Sequence, residues 1–195
     1  MRPVQLDRRD LREAKRATDA ELFDAMAKGD LAPLGVLFDR HHENVRQFLY
    51  RASPNASDVD DLVQETFLTA SRAAASFDGR ESAKPFLLGV AAQILRRRRR
   101  TFARLRRLVD AFSAAPQTAP RSPEEATSLS EDEARIRAAV EKLGDEKRLV
   151  LTMVEWGGMS GVDVAKALDV PVGTIWRRLH EARAEIRRAF EKEER

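Results

Sequence analysis

A chain of 195 residues, 43% hydrophobic and 34% charged, has room for one large or two small domains, each with a modest core. A net charge of +3 and a pI near 9.5 permit a nucleic-acid partner without requiring one, so the placement of charge matters more than its sum. With no cysteine, disulfides, thiolate metal sites and cysteine chemistry are excluded. No apolar run approaches membrane-spanning length and no signal-peptide core is present, so the expectation is a cytoplasmic protein with no membrane insertion.

The pattern is helical throughout, and an all-α fold of two helical domains is predicted. Residues 1–17 form a basic N-terminal extension. Thr18 and Glu21 make a capping box, and Gly29 stands where a helix would end. Asp30 is placed to cap a second helix, which carries Leu34, Leu37, Phe38, Val45, Phe48 and Leu49 on one stripe to about Arg51. A third helix is expected from Asp58 to about Ala75, with Val59, Leu62, Val63, Thr66, Phe67 and Ala70 inward. Phe77 to Ser82 reads as a turn. A fourth helix should start near Pro85 and run through the arginines to about Ala111, completing a first domain over 18–111.

Residues 113–123 hold three prolines among small polar residues, which marks a linker, assigned to 112–130. The second domain, 131–195, opens with Ile136, Ala139, Val140 and Leu143 on one helix. Leu149, Val150, Met153 and Val154 follow on another, ended by Gly157-Gly158. Ser160 and Asp163 form a second capping pattern. Val162, Ala165 and Leu168 then face inward, Asp169-Val170 makes a tight turn, and Pro171 suits the first position of a further helix. Ile175, Leu179, Ala182 and Ile186 face its core. Thr174, Trp176, Arg177, Arg178, His180 and Arg183 are left outward. An Arg-rich face at the start of the second helix of a helix-turn-helix is what a DNA major groove accepts. Trp176 has two readings at this stage: it packs on thymine methyls or sugar backbone, or it packs on the neighbouring helix.

Two further stretches carry charge with a purpose. Arg96 to Arg100, with Arg104, Arg106 and Arg107, crowd like charges on one helix, which an external polyanion such as phosphate backbone would relieve. Asp58, Asp61, Glu65, Leu68 and Arg72 share a face that is acidic at one end. Such a face repels DNA and suits a protein partner. His41 and His42 are adjacent, so on a helix they point about 100° apart and do not readily share a metal ion. No metal, cofactor or catalytic constellation is expected, and no enzyme.

The stretch Asp58 to Ala70 resembles the most recognisable motif of bacterial RNA polymerase sigma factors of the extracytoplasmic-function (ECF) group, in the sigma-70 family. Leu37 to His42 resembles the preceding helix of that family. Leu143 to Arg187 is similar to its region 4, including Pro171 to Ile175 and Arg178 to Arg183. The resemblance implies a transcription initiation factor that binds core RNA polymerase at the β′ clamp helices and the β flap, and promoter DNA, with an anti-sigma factor as a further partner. It implies polymerase binding by Asp58, Asp61, Leu62, Gln64, Glu65 and Leu68. It implies minus-10 DNA binding by Arg80, Lys84, Phe86, Gln93, Arg96 and Arg97, and minus-35 binding by Thr174, Trp176, Arg177, Arg178, His180 and Arg183. Phe86 and Gln93 stand where the family usually has Trp and Asn. The rival reading is a stand-alone helix-turn-helix regulator whose first domain senses a ligand or dimerises. A last expectation is that, free of polymerase, the acidic docking face and the basic reading face fold against each other across the linker.

Overall fold

Local capping fixes the first helix of the computed structural model, which describes residues 16–53, 56–110 and 131–193. Thr18 accepts the Glu21 N–H at 3.3 Å and donates its own N–H to the Glu21 carboxylate at 2.7 Å, starting α1 (Asp19–Ala27). Gly29, at φ 97°, turns the chain out of it. Asp30 caps the turn, not the next helix: its carboxylate accepts the Ala32 N–H, and α2 (Pro33–Ala52) begins on a proline. The third helix is shorter than expected. Ala56–Asp58 is one tight turn, α3 (Val59–Arg72) follows, and Ala74–Ser76 forms a second tight turn. The long α4 (Lys84–Asp110) completes this half. Residues 1–15 of the assigned extension and the whole of the assigned linker, 112–130, lie outside the described residues.

These four helices bury the stripes expected of them: Leu37, Val45, Phe48 and Leu49 of α2, Leu62, Val63 and Phe67 of α3, and Leu87, Leu88, Ala91 and Leu95 of α4. A buried carboxylate ties the bundle together. Asp19, 6% exposed, accepts the Ala83 N–H at 2.7 Å and contacts His41 Nε2 at 2.8 Å and Arg40 at 3.0 Å. Burial alone would push its pKa up. The Ala83 N–H, His41 and Arg40 outweigh that and hold it below its ordinary value.

The C-terminal half comprises α5 (Glu131–Glu141), α6 (Asp145–Leu151), α7 (Gly161–Leu168) and α8 (Val172–Glu193). Arg148, nearly buried, donates to the Glu141 and Leu143 carbonyls and so closes the end of α5. α6 widens into a π-turn over Thr152–Trp156. Gly157 is required there, because a Cβ at that position would stand 2.3 Å from the Met153 carbonyl oxygen. Ser160 accepts the Asp163 N–H at 3.1 Å and caps α7. Asp169, left-handed at φ 52°, makes the tight turn into α8, which starts at Val172, one residue after Pro171.

Two inward assignments fail. Val162 is 67% exposed and Ile136 is 40% exposed. Gly161, Val164, Ala165 and Leu168 form the buried face of α7 instead. Among the described residues no strand is present. The two halves share one continuous hydrophobic core, running from Leu22 to Ala182.

Candidate functional site

The α3 face presents Asp61 and Gln64 to solvent, with Asp58 and Glu65 half-exposed and Leu68 49% exposed. Leu62 does not join them. It is 1% exposed, packed in the core on the same stripe as Val59, Val63 and Thr66, so its assignment to the polymerase-binding set is corrected. Glu65 reaches Arg98 of α4 at 2.6 Å, which steadies the acidic face against the basic helix behind it. An exposed leucine between carboxylates combines an apolar anchor with charge that selects the partner.

The residues assigned to minus-10 DNA lie on α4 and the turn before it, and the C-terminal half covers part of them. Gln93 donates to the Ala167 carbonyl at 3.1 Å, and Arg96 donates to the Leu168 carbonyl. Both close the C-terminal end of α7, where a cation also meets the negative end of the helix dipole. Arg96 further stands 3.5 Å from Glu146, and its side chain is 17% exposed. Arg80 bonds Asp163 in the first turn of α7 at 2.8 Å and Asp78 at 2.7 Å. Hydrogen bonds to Asp78 and then to Asp163 raise the pKa of Arg80, and the bond to Ser160 and then Arg80 hold that of Asp163 low.

Phe86 is not an open stacking platform in this arrangement. Its ring meets Phe23 and Phe77 edge-on, with centroids 5.2 and 5.4 Å away, and its remaining surface faces a cleft shared with Met159, Asp163 and Ala167. Lys84 is half-buried at the start of α4, and Arg97 is exposed.

At Gly89 the halves approach closely. A Cβ there would stand 3.2 Å from Cβ of Ala167, so two small residues let α4 and α7 cross at short range. Around this crossing, Arg99 stands 3.5 Å from Asp145 and donates to the Ala52 carbonyl at 2.8 Å. Arg51 lies over the Trp156 ring at 5.6 Å, and Arg137 over Tyr50 at 4.6 Å. Domain closure is therefore present, but not between the faces expected. The leucine of the docking face and the reading face of α8 stay exposed, and the basic α4 meets the acidic start of α6 and one side of α7. The sequence reading missed Asp145 and Glu146, since two acids opening a helix look like ordinary dipole partners.

The outward face of α8 holds Arg177, His180 and Arg183 as expected. Arg177 pairs with Glu181 at 3.0 Å, and Arg183 reaches Glu155 at 2.5 Å. Thr174 is half-buried at the start of the helix. Arg178 turns inward: its side chain is 19% exposed and lies 2.8 Å from Glu146, so it leaves the reading face. Trp176 resolves toward the neighbouring helix, yet stays 52% exposed. Its ring lies on Gly161 so closely that a Cβ there would be 2.5 Å from Cζ2. Trp176, Leu179, His180, Arg183, Ala184 and Arg187 line a shallow groove along α8. Among the described residues no three metal-ligating side chains converge, and no helix is long and apolar enough to cross a membrane.

Residues 37–112 match sigma-70 region 2, and residues 133–186 match sigma-70 region 4. The fold and its two matched regions define a two-domain transcription initiation factor of the sigma-70 family. The chain is 32% identical over 173 residues to the ECF RNA polymerase sigma factor SigM of Mycobacterium tuberculosis, covering 88% of this chain and 84% of that protein. It is 27% identical over 183 residues to the RNA polymerase sigma-H factor of Pseudomonas aeruginosa, covering 89% and 94%. Its fold is similar to that of CnrH in complex with the cytosolic domain of CnrY, with a TM-score of 0.61, 25% identity and coverage of 89% and 97%. The sigma factor RpoE of Bartonella quintana, in complex with the anti-sigma factor NepR, shares the fold at a TM-score of 0.63 and 21% identity, covering 79% and 94%. The chain belongs to the extracytoplasmic-function sigma factors.

Proposed function

We propose that this initiation factor docks on core RNA polymerase through α3 and reads promoters with α4 and α8. Asp61, Gln64, Glu65 and Leu68 meet the β′ clamp helices, with Asp58 at the edge of that contact. Arg80, Lys84, Phe86, Gln93, Arg96 and Arg97 belong to the minus-10 contact. Phe86 is the aromatic on which a displaced base stacks, and the arginines hold phosphates. Arg177 and His180 read base edges at minus-35, with Thr174 and Trp176 beside them and Arg183 on phosphate. The C-terminal half also meets the β flap. Each foothold is weak alone; tethered on one polymerase, they act together through effective concentration. An anti-sigma factor is a further partner, supported by the complexes in which CnrH and RpoE were solved. The factor acts in the cytoplasm and contributes no chemistry of its own.

The observation that carries this reading is the pairing on one chain of an acidic helix face bearing exposed Leu68 with a basic helix-turn-helix face. The test is reconstitution. Core polymerase with the purified chain should initiate at a subset of promoters that core polymerase alone ignores. A chain that binds duplex DNA by itself and never supports initiation would instead be a stand-alone regulator.

A further inference from the structure

Two residues of α1 reach the loop that leads into α4. Asp19 and Phe23 lie one turn apart, so they share a face of the helix. The loop runs from Phe77 to Ala83, and each of the two holds one end of it. At the end nearer α4, the Asp19 carboxylate accepts the Ala83 N–H at 2.7 Å. At the other end Phe77 stacks on Phe23, with ring centroids 4.4 Å apart and planes inclined by 23°. Between the anchors Gly79, at φ 70°, reverses the chain, and Asp78, Glu81 and Ser82 stay exposed. Arg80 also bonds Asp163, but α7 belongs to the other half. The ties to α1 lie within the half that carries α4.

Both anchors are stiff. Ala83 is fully buried, so its N–H needs an acceptor on the spot, and a carboxylate is a stronger one than a neutral oxygen. Arg40 on Oδ1 and His41 on Oδ2 fix the plane of that carboxylate. Phe23, 1% exposed, cannot turn without disturbing the packed core around it. The Phe86 ring stands at 83° to Phe23 and at 75° to Phe77, a near-perpendicular arrangement that is favourable beyond the area it buries. One face of α1 thus sets the path of the loop and the tilt of the Phe86 ring together. Asp19 and Phe23 are themselves buried, so neither is open to a DNA strand.

We infer that Asp19 and Phe23 are positioning residues for minus-10 recognition, acting through the 77–83 loop and Phe86 on which base is accepted. The inference rests on the assignment of the start of α4 to minus-10 DNA. Groups that accept one base and refuse another must be held to within about 0.5 Å, by neighbours that are themselves locked by packing and hydrogen bonds. Loosening either anchor leaves the arginines and the aromatic ring in place. A strand still binds, because phosphate contacts and stacking tolerate any sequence. What goes is the choice between bases.

The test reads base preference directly. Holoenzyme assembled from the full-length factor and core polymerase is offered promoter fragments randomised across the minus-10 element, and the initiated transcripts are sequenced. Wild type should favour one base by about tenfold at the selected positions. Asp19→Ala and Phe23→Leu should reduce that to about twofold at one or more of them, with minus-35 preference and core-polymerase affinity unchanged. Asp19→Asn keeps an oxygen for the Ala83 N–H and gives up the charge. It should lose stability, as Asp19→Ala does, yet keep the wild-type base preference. A role in stability alone would make preference follow stability, or weaken all sequences alike.

Unchanged preference in Asp19→Ala and Phe23→Leu, at a temperature where circular dichroism shows both folded, overturns the inference. Preference lost equally in Asp19→Asn and Asp19→Ala overturns the role of Asp19. Phe23→Leu keeps the test decisive where the Asp19 variants do not fold. Wild-type holoenzyme with no base preference at minus-10 overturns the promoter reading underneath, and the inference with it.

Discussion

Replacing Gly161 by alanine adds one methyl group and puts it 2.5, 2.7 and 3.0 Å from Cζ2, Cη2 and Cε2 of Trp176. Carbon atoms pack comfortably at about 3.5–4.0 Å, so the indole must retreat by roughly 1 Å along its edge. Two terms oppose each other. Alanine is favoured over glycine in a helix by about 0.5–1 kcal/mol. Overpacking, or loss of the ring's seat on α7, costs about 1–3 kcal/mol. Because Trp176 is half-exposed, the ring can swing toward solvent, which places the cost at the lower end. The net expectation for Gly161→Ala is a destabilisation of about 1 kcal/mol. That corresponds to a fall in Tm of about 2–4 °C for a chain of this size. In a Trp176→Ala background the same change should be stabilising, since only the helix-propensity term remains. The coupling energy from the four proteins should be about 1–2 kcal/mol. Urea unfolding of all four gives the cycle, and minus-35 duplex affinity measured in parallel reports whether α8 keeps its angle. A Gly161→Ala effect of the same sign and size with and without the indole would refute the reasoning.

Charge reversal of the docking face, Asp61→Lys with Glu65→Lys, should weaken core-polymerase binding and leave helicity intact; a titration giving wild-type affinity would contradict the α3 assignment. Arg177→Ala or His180→Ala should cost about 1–3 kcal/mol at particular base pairs of the minus-35 element, whereas Arg183→Ala should weaken all sequences alike. A promoter-variant series with unchanged base preference in both single variants would refute that division. Asp19→Asn removes a buried carboxylate held by Ala83, His41 and Arg40, and should destabilise by about 3–5 kcal/mol at neutral pH. The Asp19 pKa is lowered in the fold, so its contribution is fully present above the unfolded value of 3.8 and fades as pH falls through the folded value. The gap between wild type and Asp19→Asn in urea unfolding should therefore narrow only below about pH 4; a gap that closes at pH 6 would point to another group.

Local chemistry was legible in the sequence. Thr18 with Glu21 and Ser160 with Asp163 cap helices because each signal spans a single turn, and Gly29 ends α1 for the same reason. The long stripes of α2 and α3 were also clear, since several turns repeat the same phase. α7 has eight residues, too few to separate Val162 from Val164 by periodicity, and the wrong valine was placed inside. The π-turn before Gly157 left no sequence signal beyond the glycine pair, which reads equally well as a simple helix end. Site residues followed the same division. The exposed acids of α3 and the outward α8 arginines stand where their spacing placed them. Arg96 and Arg178 did not, because their surroundings are set by residues distant in sequence, while Leu62 sits in the core where its own spacing put it, against the polymerase role that the resemblance implied. Glu146, fifty positions from Arg96, draws both Arg96 and Arg178 inward. No local pattern encodes such a meeting.

The seam between the halves is mixed in character, and temperature acts on its parts in one direction. Leu88 packs against Gly157 and Phe86 shares a cleft with Met159, while Arg80, Arg96 and Arg99 meet carboxylates. Apolar burial weakens on cooling. The hydration that ion pairs must surrender becomes less favourable on warming, so those pairs become easier to form. Closure should therefore be entropy-driven near room temperature and carry a negative heat-capacity change. Warming, short of global unfolding, should tighten this seam between α4 and the C-terminal half, and chilling should loosen it.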